Sequence, residues 1–264
     1  MIRDNLKQVH ENMEIAASRA GRSVSEITLV AVSKTKPLSD ILECVNSGEH
    51  VFGENYVQEI VAKTAELAQL RGSLEGVGGQ NAPKTAGEQN APLAAESGEY
   101  LSGAGEIVFH MIGHLQTNKV KMIIDKVAMI HSVDSEHLAL EIEKQAAKRD
   151  LMMDVLLEVN VAGEESKWGF TCEEMPQNLA LIKKECPHLR IRGFMTSAPY
   201  TEDPESNRIH FKKLKKLFDE QRAIDPVIDT LSMGMTGDYM VAIEEGATMI
   251  RVGTGIFGKR DYAV

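Results

Sequence analysis

The sequence predicts one α/β domain folded as a TIM-type (β/α)8 barrel, and three observations point there. Eight apolar, strand-like runs recur at 27–33, 50–53, 107–113, 127–133, 154–161, 189–196, 229–234 and 248–255. Helical patterns fall between them, the order that produces parallel strands joined by crossover helices. The chain has 264 residues, close to the roughly 250 that such a barrel needs. Eight βα units favour closure, with a doubly wound open sheet as the alternative.

The elements follow in order. Leu6, Val9, Met13, Ile15 and Ala16 recur at helical spacing, and Gly21 stands where a C-cap belongs, so an extra helix precedes the first strand. Further helical patterns are SDILECVNSG (39–48), EHLALEIEKQAAKRD (136–150), SNRIHFKKLKKLFDEQRA (206–223) and GDYMVAIEEG (237–246). One segment breaks the rhythm. Residues 71–106 are rich in Gly, Ala, Ser and Glu, and Gln-Asn-Ala-Pro occurs twice, at 80–83 and 89–92. Such a composition buries little, so a flexible insertion is expected inside a single 1–264 domain. Lying between the second helix and the third strand, it falls at the barrel's N-terminal face, away from the usual site.

Composition narrows the function classes. Hydrophobic residues make up 43% and charged residues 26%, ordinary values for a globular chain. The net charge of −10 repels a phosphate backbone, which disfavours general nucleic-acid binding. No apolar run reaches the length of a membrane span. Cys44, Cys172 and Cys186 are widely spaced, as expected of reduced thiols in a cytoplasmic protein. The N-terminus has no continuous apolar stretch of the signal-peptide kind.

Barrel chemistry sits at the C-terminal ends of strands. The first strand runs into Lys34, which continues the inward alternation of Val30 and Val32. An amine held partly out of water there is a usable nucleophile, although a surface lysine before a turn fits the same residues. The last strand ends in Gly253-Thr254-Gly255, and the seventh in Ser232-Met233-Gly234. Small residues after strands seven and eight suit a phosphate. Thr236 and Asp238 are possible N-caps of the next helix. Arg251, two residues before Gly253, points to the same side; it could pair with Glu158 or meet a ligand. Asn55, at the end of strand two, falls near Lys34, and His110 lies on strand three. No metal-ligand spacing, G-x-S-x-G or Walker motif is present.

Taken together, the segments LVAVSKTKP (29–37), FGENYVQE (52–59), HMIGHLQTNK (110–119), RGFM (192–195), LSMGM (231–235) and RVGTGIFG (251–258) resemble the YggS/PROSC family of pyridoxal phosphate homeostasis proteins. The resemblance spans nearly all of the chain outside 71–106. It implies a barrel like the N-terminal domain of alanine racemase and pyridoxal 5′-phosphate (PLP) as cofactor. It implies that Lys34 carries PLP as a Schiff base, that Ser232, Gly253 and Thr254 hold the phosphate, that Arg251 faces the pyridine nitrogen, and that Asn55 and Met233 line the pocket. Thr236 stands where the family often has serine, and Phe109 where it often has tryptophan. The implied role is a monomeric cytoplasmic carrier in PLP homeostasis, transiently meeting PLP-dependent apo-enzymes, without robust catalysis. The alternative is a PLP-dependent amino-acid racemase. An arginine at the ring nitrogen weakens the electron sink. A racemase also needs a second acid/base, which alanine racemase draws from an additional β domain; no sequence for one is expected here after the eighth strand.

Overall fold

The computed structural model of the chain describes residues 1–77, 107–164 and 167–258, with backbone alone for 73–77. Eight parallel strands form a closed barrel in sequence order: β1 Thr28–Val32, β2 Val51–Glu54, β3 Val108–Met111, β4 Met129–Val133, β5 Met153–Glu158, β6 Leu189–Met195, β7 Thr230–Ser232 and β8 Met249–Val252. The ring closes where β8 pairs with β1, from Thr28↔Met249 to Ala31↔Val252. That pairing rules out the open sheet. All eight expected strands are present; seven are shorter than expected, and β2 keeps its length one residue further on. The apolar runs of β1, β3, β5, β6, β7 and β8 continue past the strand into turns, and turns at the strand ends carry the site.

The helices are α1 Ile2–Arg19, α2 Leu38–Asn46, α3 Val57–Val77, α4 Val120–Ile123, α5 Glu136–Ala147, α6 Met175–Glu185, α7 Arg208–Ile224, α8 Tyr239–Glu244 and α9 Thr254–Phe257. α1 is the expected extra helix. Leu6, Val9, Met13 and Ala16 are buried, while Ile15 is exposed; the helical stripe therefore runs through Ala17, also buried, rather than through Ile15. Gly21 adopts φ +66° just after α1 ends, as the C-cap expectation required. Asn5 Nδ2 donates to the Ile256 carbonyl at 2.8 Å and Asn12 Nδ2 to the Tyr239 hydroxyl at 2.8 Å. The helix thus braces α8 and α9 from outside. α3 continues to Val77, so residues 71–77 of the expected insertion are helical; 78–106 lie outside the described residues.

Strand alternation sorts the side chains into two cores. One lies between strands and helices and includes Phe52, Phe194, Leu231 and Met233. The other fills the barrel with Val30, Met129, Leu156, Met195 and Met249. Below this plug, at the N-terminal face, Asp154 accepts from Arg190 Nη2 and Arg192 Nη1, each at 2.9 Å, and Arg192 Nη2 donates to Asp229 at 2.6 Å. Above it the interior turns polar, and the site begins.

Candidate functional site

A cavity of about 870 Å³ opens at the C-terminal ends of the strands. Its wall includes Lys34 and Val32 from the β1 end, Asn55 from the β2 end, and Arg251, Gly253 and Thr254 from the β8 end. Lys34 is half-buried. Val30 lies in the inner core while Val32 and Lys34 reach the cavity, so the alternation read from the sequence places the lysine. Asn55 is seated by close backbone contact. A Cβ on Gly113 would stand 2.6 Å from the Asn55 carbonyl oxygen and 2.7 Å from its Cα. Glycine at 113 is therefore what lets the ends of β2 and β3 approach.

At the β8 end, the backbone N–H groups of Gly253 and Gly255 both donate to Thr236 Oγ1, at 3.3 Å each. Two amides thus converge on one oxygen position beside the cavity, an arrangement that also suits a phosphate oxygen. Gly234 makes room for this turn. It sits at φ +93°, and a Cβ there would come within 2.6 Å of the Ala242 Cβ. Asp238 does not cap α8 with its side chain. Its carboxylate accepts from Met235 N at 2.7 Å and from Asn207 Nδ2 at 2.8 Å.

Arg251 is 4% exposed. Its Nη2 donates to the Thr196 carbonyl at 2.7 Å and its Nη1 to Ser232 Oγ at 2.6 Å. Ser232 Oγ also meets His131 Nδ1 at 3.2 Å, and His131 Nε2 meets His110 Nδ1 at 3.0 Å. A guanidinium only donates, so the serine hydroxyl accepts from Arg251. The directions of the two imidazole contacts are set by the histidine tautomers, and burial keeps both rings neutral at pH 7. Burial pushes His110 down to about 4 against the pull of Asp154. Burial likewise holds His131 well below its usual range, with His110 and Arg251 adding to the effect. Burial brings Arg251 to about 10, opposed by Glu158 and Asp238, so it stays charged at neutral pH. Burial raises Glu158 to about 7, and Asp134 adds to that, while Arg251 and Lys167 oppose it.

Lys34, Asn55, Arg251, Gly253 and Thr254 thus share one cavity. Ser232 and Met233 are not among the residues lining it. Met233 points outward into the strand–helix core, one residue out of phase with the interior. Ser232 points inward, but its hydroxyl is fully buried and engaged by Arg251 and His131. Glu158 acts on Arg251 through space rather than in contact. Thr236, Ser197 and Asn207 line the cavity without having been singled out as ligand contacts. Only Thr236 carried a signal, as a hydroxyl two residues after the glycine at the end of strand seven. Among the described residues no group of three His, Cys, Asp or Glu side chains is placed to hold a metal, and no helix is long and apolar enough to cross a membrane.

Comparison with known proteins adds the family context. The family described as alanine racemase, N-terminal domain, matches residues 5–261. A pyridoxal phosphate homeostasis protein of Aquifex aeolicus is 40% identical over 260 residues, covering 98% of each chain. The structure of PipY from Synechococcus elongatus with PLP bound superposes with a TM-score of 0.71 at 27% identity, covering 98% of this chain and 100% of that one. An alanine racemase of Clostridium difficile superposes with a TM-score of 0.64 at 13% identity, covering 98% of this chain and 58% of that one; that likeness concerns the fold.

Proposed function

Because the chain belongs to the pyridoxal phosphate homeostasis proteins, within the alanine racemase N-terminal domain family, we propose that it binds PLP as a Schiff base on Lys34 and holds it without robust turnover. The observation that carries this reading is that Lys34 shares one cavity with Gly253 and Thr236, where the amides of Gly253 and Gly255 converge on the Thr236 hydroxyl. An aldehyde and a phosphate on one small molecule match those two ends. When bound, PLP supplies an aldehyde that an amine can capture and a ring that can withdraw electrons.

The chain's own residues favour retention over turnover. Arg251 is locked as a charged donor by Thr196 and Ser232, so a ring nitrogen facing it accepts a hydrogen bond and stays unprotonated, which weakens the sink. Among the described cavity residues, Asp238 has its carboxylate occupied by Met235 and Asn207, and Tyr200 is 94% exposed. Neither is held as the second acid/base that racemisation requires. The role proposed is a cytoplasmic, monomeric carrier that exchanges PLP transiently with apo-enzymes, a reading supported by the family membership.

Borohydride reduction of the PLP-loaded protein, followed by peptide mass spectrometry, should place the pyridoxyl group on Lys34. Lys34→Ala should abolish the visible absorbance. Retention of the chromophore in that variant would refute the assignment. Racemisation of alanine by the wild type, lost in Lys34→Ala and followed by chiral analysis, would refute the carrier role.

A further inference from the structure

Both neighbours of Lys34 are gripped by one cluster whose members do not line the cavity. Lys63 Nζ, on α3, donates to the Ser33 carbonyl at 2.9 Å, to Glu54 Oε1 at 2.6 Å and to Glu59 Oε2 at 3.1 Å. Ser33 Oγ donates to Glu54 Oε1 at 2.6 Å, and Thr35 N donates to Glu59 Oε2 at 2.8 Å. Lys63 is 6% exposed and Glu54 fully buried. Two features exceed what tying α3 to the barrel would require. Apolar packing would hold a helix as well as a buried ion pair does, yet here two carboxylates surround one ammonium. Burial lifts Glu54 to about 7 in spite of Lys63 and Ser33, and burial would also raise Glu59, but Thr35 N–H and Lys63 bring it below its usual value. Thr35 sits at φ +65°, a conformation that costs a β-branched residue roughly 1–2 kcal/mol and that the Glu59 contact retains.

We propose that Glu54, Glu59 and Lys63 are positioning residues that lock the Ser33–Thr35 turn so that the Lys34 amine is presented for imine formation. This rests on Lys34 being the PLP-bearing lysine. In the step served, the Lys34 nitrogen attacks the aldehyde carbon, a C=N bond forms, and the aldehyde oxygen leaves as water with both protons of the neutral amine.

The test uses full-length, cofactor-stripped wild type, Glu59→Ala and Glu59→Gln. Three quantities are measured: the stopped-flow rate of chromophore formation with PLP, the affinity for pyridoxine 5′-phosphate, and hydrogen-exchange protection of the Thr35 amide. Pyridoxine 5′-phosphate carries an alcohol in place of the aldehyde and forms no imine. Glu59→Ala should slow capture about tenfold, the scale of a modest misplacement of a reacting group, and lower Thr35 protection, leaving the affinity for the alcohol essentially unchanged. Glu59→Gln should behave like wild type, because its amide oxygen still accepts from Thr35 N. An unchanged capture rate in Glu59→Ala overturns the proposal, as does an equal loss of affinity for the alcohol, which marks a merely structural role. Ser33→Ala, removing one hydroxyl from the same cluster, should slow capture by a smaller factor; it carries the test should Glu59→Ala fail to fold, and an unchanged rate there counts against the proposal equally. A chromophore that survives Lys34→Ala would defeat the Lys34 assignment instead, a separate outcome.

Discussion

Arg251 reaches the cavity with its charge intact because Glu158 and Asp238 oppose the lowering that burial imposes and leave it at about 10. Its two described hydrogen bonds go to a serine hydroxyl and a backbone carbonyl, and the histidines beyond cannot take up a proton cheaply. The pH consequence has a definite sign. His110 titrates near its ordinary 6.5 in the unfolded chain and at about 4 when folded. Between those values the unfolded state binds more protons, so stability rises with pH through the window and is lost as pH falls from 6.5 to 4. The size is on the order of 3 kcal/mol, with the same sign from His131. Urea unfolding of wild type and His110→Gln across that range should show the wild type losing ground to the variant on acidification; parallel curves would contradict it. The alternation that carries Lys34 and Arg251 inward was legible in the sequence. That Ser232 would be spent on Arg251 and His131 was not, because those partners lie 19 and 101 positions away.

At the level of elements, the strand ends matter more than the strands. β2 and β3 meet closely where Gly113 passes Asn55, and Ser132 Oγ on β4 donates to the Gly113 carbonyl at 2.6 Å. Gly113→Ala has no room for its methyl group, since the two nearest atoms it meets are backbone atoms of Asn55. It should destabilise the fold by about 1–3 kcal/mol, as overpacking does, and weaken PLP binding by displacing Asn55. Urea unfolding together with a PLP titration measures both, and normal affinity in this variant would show that Asn55 does not need its present place. The Phe52-Gly53-Glu54-Asn55 run marked this strand end, yet nothing in the local pattern announced the tight approach. A glycine's reason lies in what stands opposite it, here a residue of another strand.

Across the whole molecule the barrel separates holding from binding. The Asp154–Arg190–Arg192–Asp229 network lies at the N-terminal face and the cavity at the C-terminal face, with the apolar plug between them. Asp154→Asn should lower unfolding stability by about 1–3 kcal/mol, the range for hydrogen bonds to charged groups, while PLP affinity is unchanged. Equilibrium unfolding and a fluorescence titration on one preparation test this; a coupled loss would mean that the two ends communicate. The sequence by itself determined the eight βα units, the preceding helix, the strand ends that carry Lys34, Asn55, Arg251, Gly253 and Thr254, and the family. Those features are local: period, chain order and short motifs. Closure of β8 onto β1, the diversion of Ser232 to Arg251, the outward turn of Met233, the use of Thr236 by two amides, and the grip of α3 on the Lys34 turn were decided only by tertiary structure. Each depends on which strand end faces which across the ring, and on how deep in the barrel a side chain ends, and neither is written in the spacing along one strand. Lys34 itself shows the division: alternation points it inward, and residues twenty and more positions downstream hold the turn that presents it.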